Sequence, residues 1–448
     1  MTEAEKHYKK MTETPLARLI ISLGIPTTIS MLVTSIYNMA DTYFVGELGE
    51  SAQGATGILF TLQAIIQAIS FMLGQGSGTM VAKALADRNE QEASSYASTA
   101  FFTALVAGTV LALLGGAFIT PLLYALGSTD TILPYAIQYG ACVLASCPFV
   151  MMSFVLNNIL RFEGKAFFSM FGLVSGGLLN ILGDYLLVIV FDLGILGAGI
   201  ATAVSQTISF ALLLYFHKKK AQSKIRITCI SRRAKTYLTV CKVGFPSLIR
   251  QGLSSISNGL LNNLTRPFGD AAIAAMSVVN RFSMFVMCVG LGIGQGFQPV
   301  AAFNYQAKKF SRVKRGLLIT MGIGATFILC LATPGFIFAD KIMYLFQKSE
   351  DVIKVGTLAL RAACIGTSFL ALSVPVNMLY QSARRTGVAS FLSLLRSGLT
   401  FIPVLIVTTS IWGLFGIQIS QPVADILTGL ASIPFMIHFL RTPDEKMK

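Results

Sequence analysis

Apolar residues along this chain gather into twelve long stretches that are separated by polar turns, with one longer polar break near the middle. Each stretch is close to the ~20 residues that an α-helix needs to cross the ~30 Å hydrocarbon core of a bilayer. The pattern therefore predicts an all-α polytopic membrane protein with twelve transmembrane helices. The predicted segments are 16–43, 52–79, 96–118, 133–158, 166–190, 195–216, 237–264, 271–299, 316–338, 352–380, 388–410 and 413–440.

The second half of the chain repeats the first at a shift of 220 residues. Gly24-x-Pro26 matches Gly244-x-Pro246, and Gly74-Gln75-Gly76 matches Gly294-Gln295-Gly296. Because each half holds six segments, an even number, both halves enter the membrane from the same side. We therefore expect two six-helix bundles related by a pseudo-two-fold axis along the membrane normal. The predicted division is an N-lobe over 1–216, a basic linker over 217–235 and a C-lobe over 236–448.

Composition and charge agree with a membrane protein. Hydrophobic residues make up 54% of the chain and charged residues only 12%, and the mean hydropathy is +0.69. The net charge of +15 would suit a nucleic-acid binder, but most of the basic residues lie in turns on one side, eight of them in the linker 217–235. By the positive-inside rule this side is cytoplasmic. We expect both termini in the cytoplasm, contact with membrane lipid and no nucleic-acid partner.

Acidic residues within the apolar segments are the candidate functional groups. Asp41 is the only acid between residues 20 and 44, and Tyr37, four residues earlier, lies on the same helical face with a hydroxyl that can donate. Asp184 lies in the fifth segment with Asn180 on its face. Intramembrane acids are rare, and by default they indicate ion or substrate handling. The alternative for Asp41 is a place at the helix end in interfacial water.

These acids are not repeated at the equivalent positions of the second half, so the two lobes differ in charge. Leu261 stands where the first half has Asp41, and the acid embedded in the second half is Asp425, with Gln421 four residues earlier. We expect Asp425 to be structural or to line water, and Arg281 to pair or to reach the interface. The charge chemistry is therefore expected in the first lobe.

Several chemistries are disfavoured by the sequence. The chain has no G-x-x-x-x-G-K-[ST] motif for an ATP-driven pump, and Asp184 lacks the Gly-x-Gly-Asp pattern of intramembrane aspartyl proteases. The seven cysteines form no C-x-x-C pair, and the three histidines are scattered. We expect a protein that is not an enzyme and that has no cofactor or transition metal.

Four motifs occur together along the chain: Tyr37-Asn38-x-Ala40-Asp41, Asn157 with Arg161-x-Glu163-Gly164, Gly177-Leu178-x-Asn180-x-x-x-Asp184, and Gly197-Ala198-x-x-Ala201-Thr202. With these motifs the sequence resembles the multidrug and toxic compound extrusion (MATE) transporters, with the DinF-like branch as the nearest match. The resemblance covers essentially the whole chain. It implies secondary active efflux of cationic amphipathic compounds by antiport with H⁺ or Na⁺ through alternating access, in the plasma membrane of a bacterium or archaeon. It also implies that such xenobiotic export confers antibiotic resistance.

The resemblance also implies a set of site residues. The coupling H⁺ or Na⁺ would be held by Asp41, Asn180, Asp184 and Thr202. Residues expected nearby or in the substrate cavity are Tyr37, Tyr139, Asn157 and Glu163. One departure is Tyr185, because the family commonly has Pro after the helix-5 acid, and its loss is expected to change the bend of that helix.

The partners implied are small lipophilic cations and membrane lipid, and the expected oligomeric state is a monomer. A flippase of a lipid-linked or amphipathic metabolite remains the alternative function. Related families with this repeat usually add helices or a cationic cavity, whereas the candidate residues here are acidic and neutral.

Overall fold

The computed structural model describes residues 3–346 and 349–447, which form α-helices and no strand. The helices of this described part are α1 Glu3–Glu13, α2 Leu16–Gly46, α3 Glu50–Ala86, α4 Glu90–Ala117, α5 Ile119–Ala125, α6 Leu133–Phe162, α7 Ala166–Asp184, α8 Gly194–Lys220, α9 Ala234–Thr265, α10 Asp270–Gln306, α11 Phe310–Ile337, α12 Ala339–Phe346, α13 Glu350–Ser368, α14 Leu370–Ser382, α15 Thr386–Leu394, α16 Phe401–Trp412 and α17 Leu414–Arg441. Two π-helical segments, Tyr185–Val190 and Leu395–Thr400, continue α7 and α15.

The long helices reproduce the twelve predicted segments and confirm the all-α membrane fold. In the part of the chain that is described, ten helical runs are long and apolar enough to cross a membrane. The pair α13 and α14, bent by 42° at Phe369, makes an eleventh. The remaining predicted segment, 237–264, corresponds to helix α9, which is 32 residues long. It is less apolar than the others because it carries Lys242, Arg250 and several asparagines.

The chain forms two compact units whose boundaries repeat at the same 220-residue shift. Unit 1 contains the residues up to Tyr8 and Ile29–Leu248, and unit 2 contains Lys9–Thr28 and the chain from Ile249 onward. Helix α2 therefore begins in unit 2 and ends in unit 1, whereas α9 begins in unit 1 and ends in unit 2. The predicted division at 217–235 did not include this exchange of helix starts.

Glycines allow the first turns of α2 and α9 to pack closely against the unit to which each belongs. In unit 1, a Cβ on Gly76 would lie 2.0 Å from the carbonyl oxygen of Val240, at the start of α9. In unit 2, a Cβ on Gly296 would lie 2.4 Å from Cα of Gly24, at the start of α2. Any larger side chain would push the helices apart, so the repeated Gly-Gln-Gly motif marks close helix packing, as its sequence indicates.

The duplication is also visible in the backbone of the turns. Arg88, between α3 and α4, and Lys308, between α10 and α11, both have φ 58°. Gly49 and Gly269, which precede α3 and α10, have φ 112° and 86°. Left-handed backbone is unfavourable for residues other than glycine, so its recurrence at equivalent positions indicates two copies of one fold.

The basic linker is fixed to unit 1 by a row of hydroxyl groups on α4. Ser94 accepts from the Lys224 backbone N–H at 2.9 Å, Ser98 from that of Arg226 at 3.0 Å, and Thr99 from that of Ser231 at 2.9 Å. These bonds satisfy linker donors that helical structure does not. The connection between the two repeats is therefore packed along α4.

Candidate functional site

A chain of hydrogen bonds in unit 1 links helices α2, α6, α7 and α8. The Tyr139 hydroxyl donates to Asp41 Oδ2 at 3.0 Å and lies 3.5 Å from Thr202 Oγ1. Asn180 Nδ2 donates to the same Thr202 Oγ1 at 3.2 Å. The structure thus brings together Asp41, Asn180, Thr202 and Tyr139, which the family resemblance implied as neighbours although up to 161 residues separate them.

Asp184 completes this cluster as a fully buried carboxyl. Its side chain has no exposure, and it is close enough to Asp41 and Tyr139 to interact with both electrostatically. Among the described residues, no group donates a hydrogen bond to either of its oxygens. The same is true of Asp41 Oδ1 and Asn180 Oδ1. Four buried acceptor oxygens in one cluster therefore lack a protein donor, which is costly unless a cation or proton joins them.

Close packing of α7 and α8 holds these oxygens in place. A Cβ on Gly183 would lie 2.9 Å from Cβ of Ala201, and one on Gly199 would lie 3.3 Å from Cα of Tyr139. Small residues at these crossings let the backbones of α6, α7 and α8 approach closely. A larger side chain at either glycine would widen the site.

The departure from the family pattern after Asp184 has a structural counterpart. The π-helical segment Tyr185–Val190 begins directly after Asp184, where the family commonly has proline. A π-helical turn interrupts the regular α-helix because its hydrogen bonds span five residues instead of four. Proline also interrupts a helix, because it has no backbone N–H to donate. Gly197 of α8 packs on this segment, since its Cβ would lie 2.8 Å from the Leu187 carbonyl oxygen. The predicted segment 166–190, which is α7 with its π-helical continuation, thus changes geometry beside the carboxyl without a proline.

Tyr37 does not donate to Asp41, which corrects one expectation. Its hydroxyl receives a bond from Gln206 Nε2 at 3.4 Å, and its ring packs on Gly177. The two residues share a helical face, but the Tyr37 ring turns toward α7 and α8. The donor to Asp41 is instead Tyr139 on α6. The spacing of residues along α2 gives no information about which residue of another helix lies beside Asp41.

Asn157 lies at a separate contact between α6 and α7. Its Nδ2 donates to Ser169 Oγ at 2.5 Å and to the Ser169 carbonyl oxygen at 3.4 Å. Asn377, its repeat counterpart, makes equivalent bonds to Ser393 Oγ at 2.9 Å and to the Ala389 carbonyl oxygen at 2.8 Å. Because both lobes use a similar contact, it serves helix packing in each copy. Among the residues that the structure describes, the hydrogen bonds of the Asn157 side chain go to Ser169 and not to the carboxyl cluster.

Glu163 also lies apart from the cluster, in the turn after α6, where it holds the linker. Its carboxylate accepts from the Gln222 backbone N–H at 2.6 Å, and from the Ser223 backbone N–H at 3.0 Å and hydroxyl at 2.5 Å. Lys165 Nζ lies 3.8 Å away. Burial raises the pKa of the Glu163 carboxyl, while these hydrogen bonds and the Lys165 charge oppose that rise. The structure therefore gives Glu163 the geometry of a linker anchor.

Unit 2 carries an ion pair that the sequence reasoning missed. Asp425 Oδ1 accepts from Arg396 Nε at 3.0 Å and from Gln421 Nε2 at 3.1 Å, and Asp425 is only 2% exposed. The signal was available, because an arginine inside an apolar segment usually has a partner. Leu261, the counterpart of Asp41, is buried in the apolar core of unit 2. The two units therefore differ in charge chemistry as the failed repeat predicted.

Family comparison agrees with this two-copy architecture. The MatE family model matches residues 26–186 and 243–407, once in each half of the chain. The multidrug export protein MepA of Staphylococcus saprophyticus is 24% identical over 425 residues, which cover 94% of this chain and 93% of that protein. MepA of Staphylococcus aureus strain MSSA476 is 24% identical over 432 residues, covering 96% and 95%.

Solved structures with the same fold carry the MATE name. One, described as MATE in complex with MaL6, has a TM-score of 0.92 at 22% identity and covers 98% of this chain and 99% of its own. Another, an outward-facing multidrug resistance MATE family transporter of the MOP superfamily, has a TM-score of 0.91 at 22% identity and covers 98% of each chain. With a family match over most of its length and the fold that goes with it, the chain belongs to the MatE family.

Proposed function

We propose that this protein is a secondary active carrier that exports lipophilic cationic compounds in exchange for an inward-moving cation, H⁺ or Na⁺. The observation that carries the proposal is the buried cluster of unit 1, where two carboxyls and an amide leave four oxygens without a donor among the residues that the structure describes. The names of the MepA relatives, multidrug export proteins, support the same activity. Assignment to the DinF-like branch stays a prediction.

The coupling step follows from the electrostatics of the cluster. Two carboxylates that share an apolar environment repel each other and are poorly solvated, so binding a proton or a hard cation stabilises the site. Asp41, Asp184, Asn180 and Thr202 offer carboxylate, amide and hydroxyl oxygens to such an ion. Binding would draw α2, α7 and α8 together. A useful switch requires that the ion prefer one arrangement by a few kcal/mol.

Efflux of a fluorescent cationic dye from proteoliposomes tests the proposal, with Na⁺ and pH gradients imposed separately. We expect transport with at least one gradient and none without, and the effective gradient identifies the coupling ion. Transport driven by ATP alone would overturn the antiport assignment. Movement of a labelled lipid analogue without dye efflux would favour the flippase alternative instead.

Two substitutions test the site itself. Asp41→Asn and Asp184→Asn keep the side-chain shape but remove the charge, so we expect each to abolish gradient-driven efflux while leaving expression near wild type. Asp192→Asn is the matched control, because Asp192 is exposed in the loop after the π-helical segment and its φ of 51° suits asparagine. Wild-type rates in both site variants would exclude this cluster as the coupling site.

We also propose a plasma-membrane location with both termini and the linker 217–235 in the cytoplasm, and a monomeric state. The basic residues of the linker support this orientation. Ala221→Cys should resist a membrane-impermeant thiol reagent in intact cells and react after permeabilisation. Labelling in intact cells at the same rate would reverse the orientation.

A further inference from the structure

Unit 2 contains a cavity of about 350 Å³ between the ends of α14, α15 and α17. Arg385 lies in the turn before α15, and His438 lies in the last turn of α17. Pro434 and His438 are exposed, so the cavity opens at the helix ends, where a membrane-spanning bundle meets the lipid headgroups. The lining residues are Tyr380, Arg385, Val388, Pro434, Phe435 and His438.

The first repeat fills the equivalent space with an aromatic ring. In unit 1, Phe216 packs with Phe171 at 6.2 Å between ring centroids, and in unit 2 Phe435 packs with Phe391 at 6.0 Å. Phe391 follows Phe171 by 220 residues and Phe435 follows Phe216 by 219, so this shared pair fixes the correspondence between the two sites. In unit 1 a third ring, Phe168, lies 5.4 Å from Phe216.

Val388 occupies the position of Phe168 at the 220-residue shift. The smaller side chain leaves space beside Phe435 that the third ring fills in the first copy. The cavity therefore lies where the first repeat has an additional aromatic ring.

Charge at the cavity differs between the repeats as well. Lys165 of unit 1 lies 3.8 Å from the Glu163 carboxylate. Its counterpart Arg385 has Ala383 where that glutamate would stand, and the Arg385 guanidinium makes no hydrogen bond or ion pair with any residue that the structure describes. No side chain caps the amino end of α15, which begins beside Arg385. An arginine and a free helix amino end together favour an anion at the mouth.

We propose that this cavity binds an anionic phospholipid, with the phosphate headgroup at Arg385 and His438 and the glycerol and first acyl carbons against Val388, Pro434 and Phe435. A guanidinium and an imidazole are suitable donors for phosphate oxygens. Free phosphate shares this headgroup chemistry, but the apolar walls favour a molecule that also has hydrocarbon. Basic pockets between helices at a membrane boundary are known to accept lipid headgroups.

Native mass spectrometry of the full-length protein in detergent tests the proposal by titration with phosphatidylglycerol, phosphatidylcholine and inorganic phosphate in separate arms. We expect wild type to retain phosphatidylglycerol at concentrations where phosphatidylcholine and phosphate do not bind. Arg385→Gln should weaken that binding about ten-fold or more, the usual effect of losing one charge-assisted contact. Val388→Phe should weaken it without any change of charge, because it restores the ring of the first repeat.

Lys308→Gln is the matched control, since Lys308 is an exposed cation in the turn between α10 and α11 and is not among the residues that line the cavity. It should bind phosphatidylglycerol as wild type does. Equal binding by Arg385→Gln, Val388→Phe and wild type would overturn the site, and so would an equal loss in all three variants. Equally tight binding of inorganic phosphate would show an anion site without a lipid preference. The melting temperature and the size-exclusion profile of each variant show whether it is folded. If Val388→Phe does not fold, the binding measured for Arg385→Gln decides between the outcomes.

Discussion

The ion pair between Arg396 and Asp425 allows the stability of unit 2 to be tested separately from ion coupling. Asp425→Asn removes one charge from a pair whose acid is 2% exposed and whose arginine side chain is 15% exposed. Removing one partner of a buried pair costs ~3–5 kcal/mol, because the other charge stays buried without compensation. The asparagine amide can still accept from Gln421, so the packing shape is largely kept.

This cost is large compared with the ~5–15 kcal/mol by which folded proteins are typically stable. At ~2–4 °C per kcal/mol for a unit of about 200 residues, the melting temperature should fall by roughly 6–20 °C. Arg396→Met should cause a similar loss, since it leaves the carboxylate alone. The double variant Arg396→Met with Asp425→Leu should recover most of the loss, because replacing both charges by apolar groups is often nearly neutral.

The assay is thermal unfolding of detergent-solubilised protein followed by size-exclusion chromatography, with dye efflux measured on the folded fraction. We expect folded Asp425→Asn protein to keep its dependence on the ion gradient, in contrast to Asp41→Asn and Asp184→Asn. Melting within 1 °C of wild type in both single variants would refute the stabilising role. Loss of gradient dependence in folded Asp425→Asn would move the coupling chemistry to unit 2.

Three further predictions concern unit 1. Tyr139→Phe removes the 3.0 Å bond that stabilises the free Asp41 carboxylate, so the cation concentration for half-maximal efflux should fall about ten-fold, and an unchanged value would exclude this role. Gly183→Val should separate α7 from α8, which should lower the free energy of unfolding by ~1–3 kcal/mol and reduce the rate of efflux. Gly57→Val is the control and should match wild type in the same assays, because a Cβ at Gly57 would have no described atom within 4 Å beyond its own turn of helix. Glu163 has a raised pKa, so its contribution to stability is present below the ordinary glutamate value of ~4.3 and is lost as pH rises through the folded-state value. The melting temperature of wild type minus that of Glu163→Gln should therefore fall as pH rises above the ordinary glutamate value, and a constant difference would contradict the linkage.

The fold was predictable because the bilayer imposes one simple requirement. Apolar stretches of ~20 residues must become helices that satisfy their own backbone, so hydropathy gives both their number and their positions. The predicted segment 133–158 became α6, Leu133–Phe162, and the predicted segment 413–440 became α17, Leu414–Arg441. The acids Asp41 and Asp184 were visible for the same reason, since charge in an apolar segment is rare.

The partners of these residues were less predictable, because hydropathy carries no information about which helices touch. Local spacing suggested Tyr37 as the donor to Asp41, but the donor is Tyr139, 98 residues away. Arg396 and Asp425 lie on different helices, so no helical periodicity relates them. Tyr139 was found only through the family resemblance, which carries tertiary information that a single sequence pattern lacks.

The exchange of helix starts sets the order in which the chain can reach its final packing during synthesis. The start of α9 meets its partner at once, because Gly244 packs on Met72, which has already been made. The start of α2 must wait, because Gly24 packs on Gly296, which is synthesised roughly 270 residues later. At ~5–20 residues per second, that delay is roughly 15–55 s. During this interval the small-residue surface at Gly24 is available to insertion factors or to wrong helices, and translation speed through α10 becomes a determinant of correct assembly.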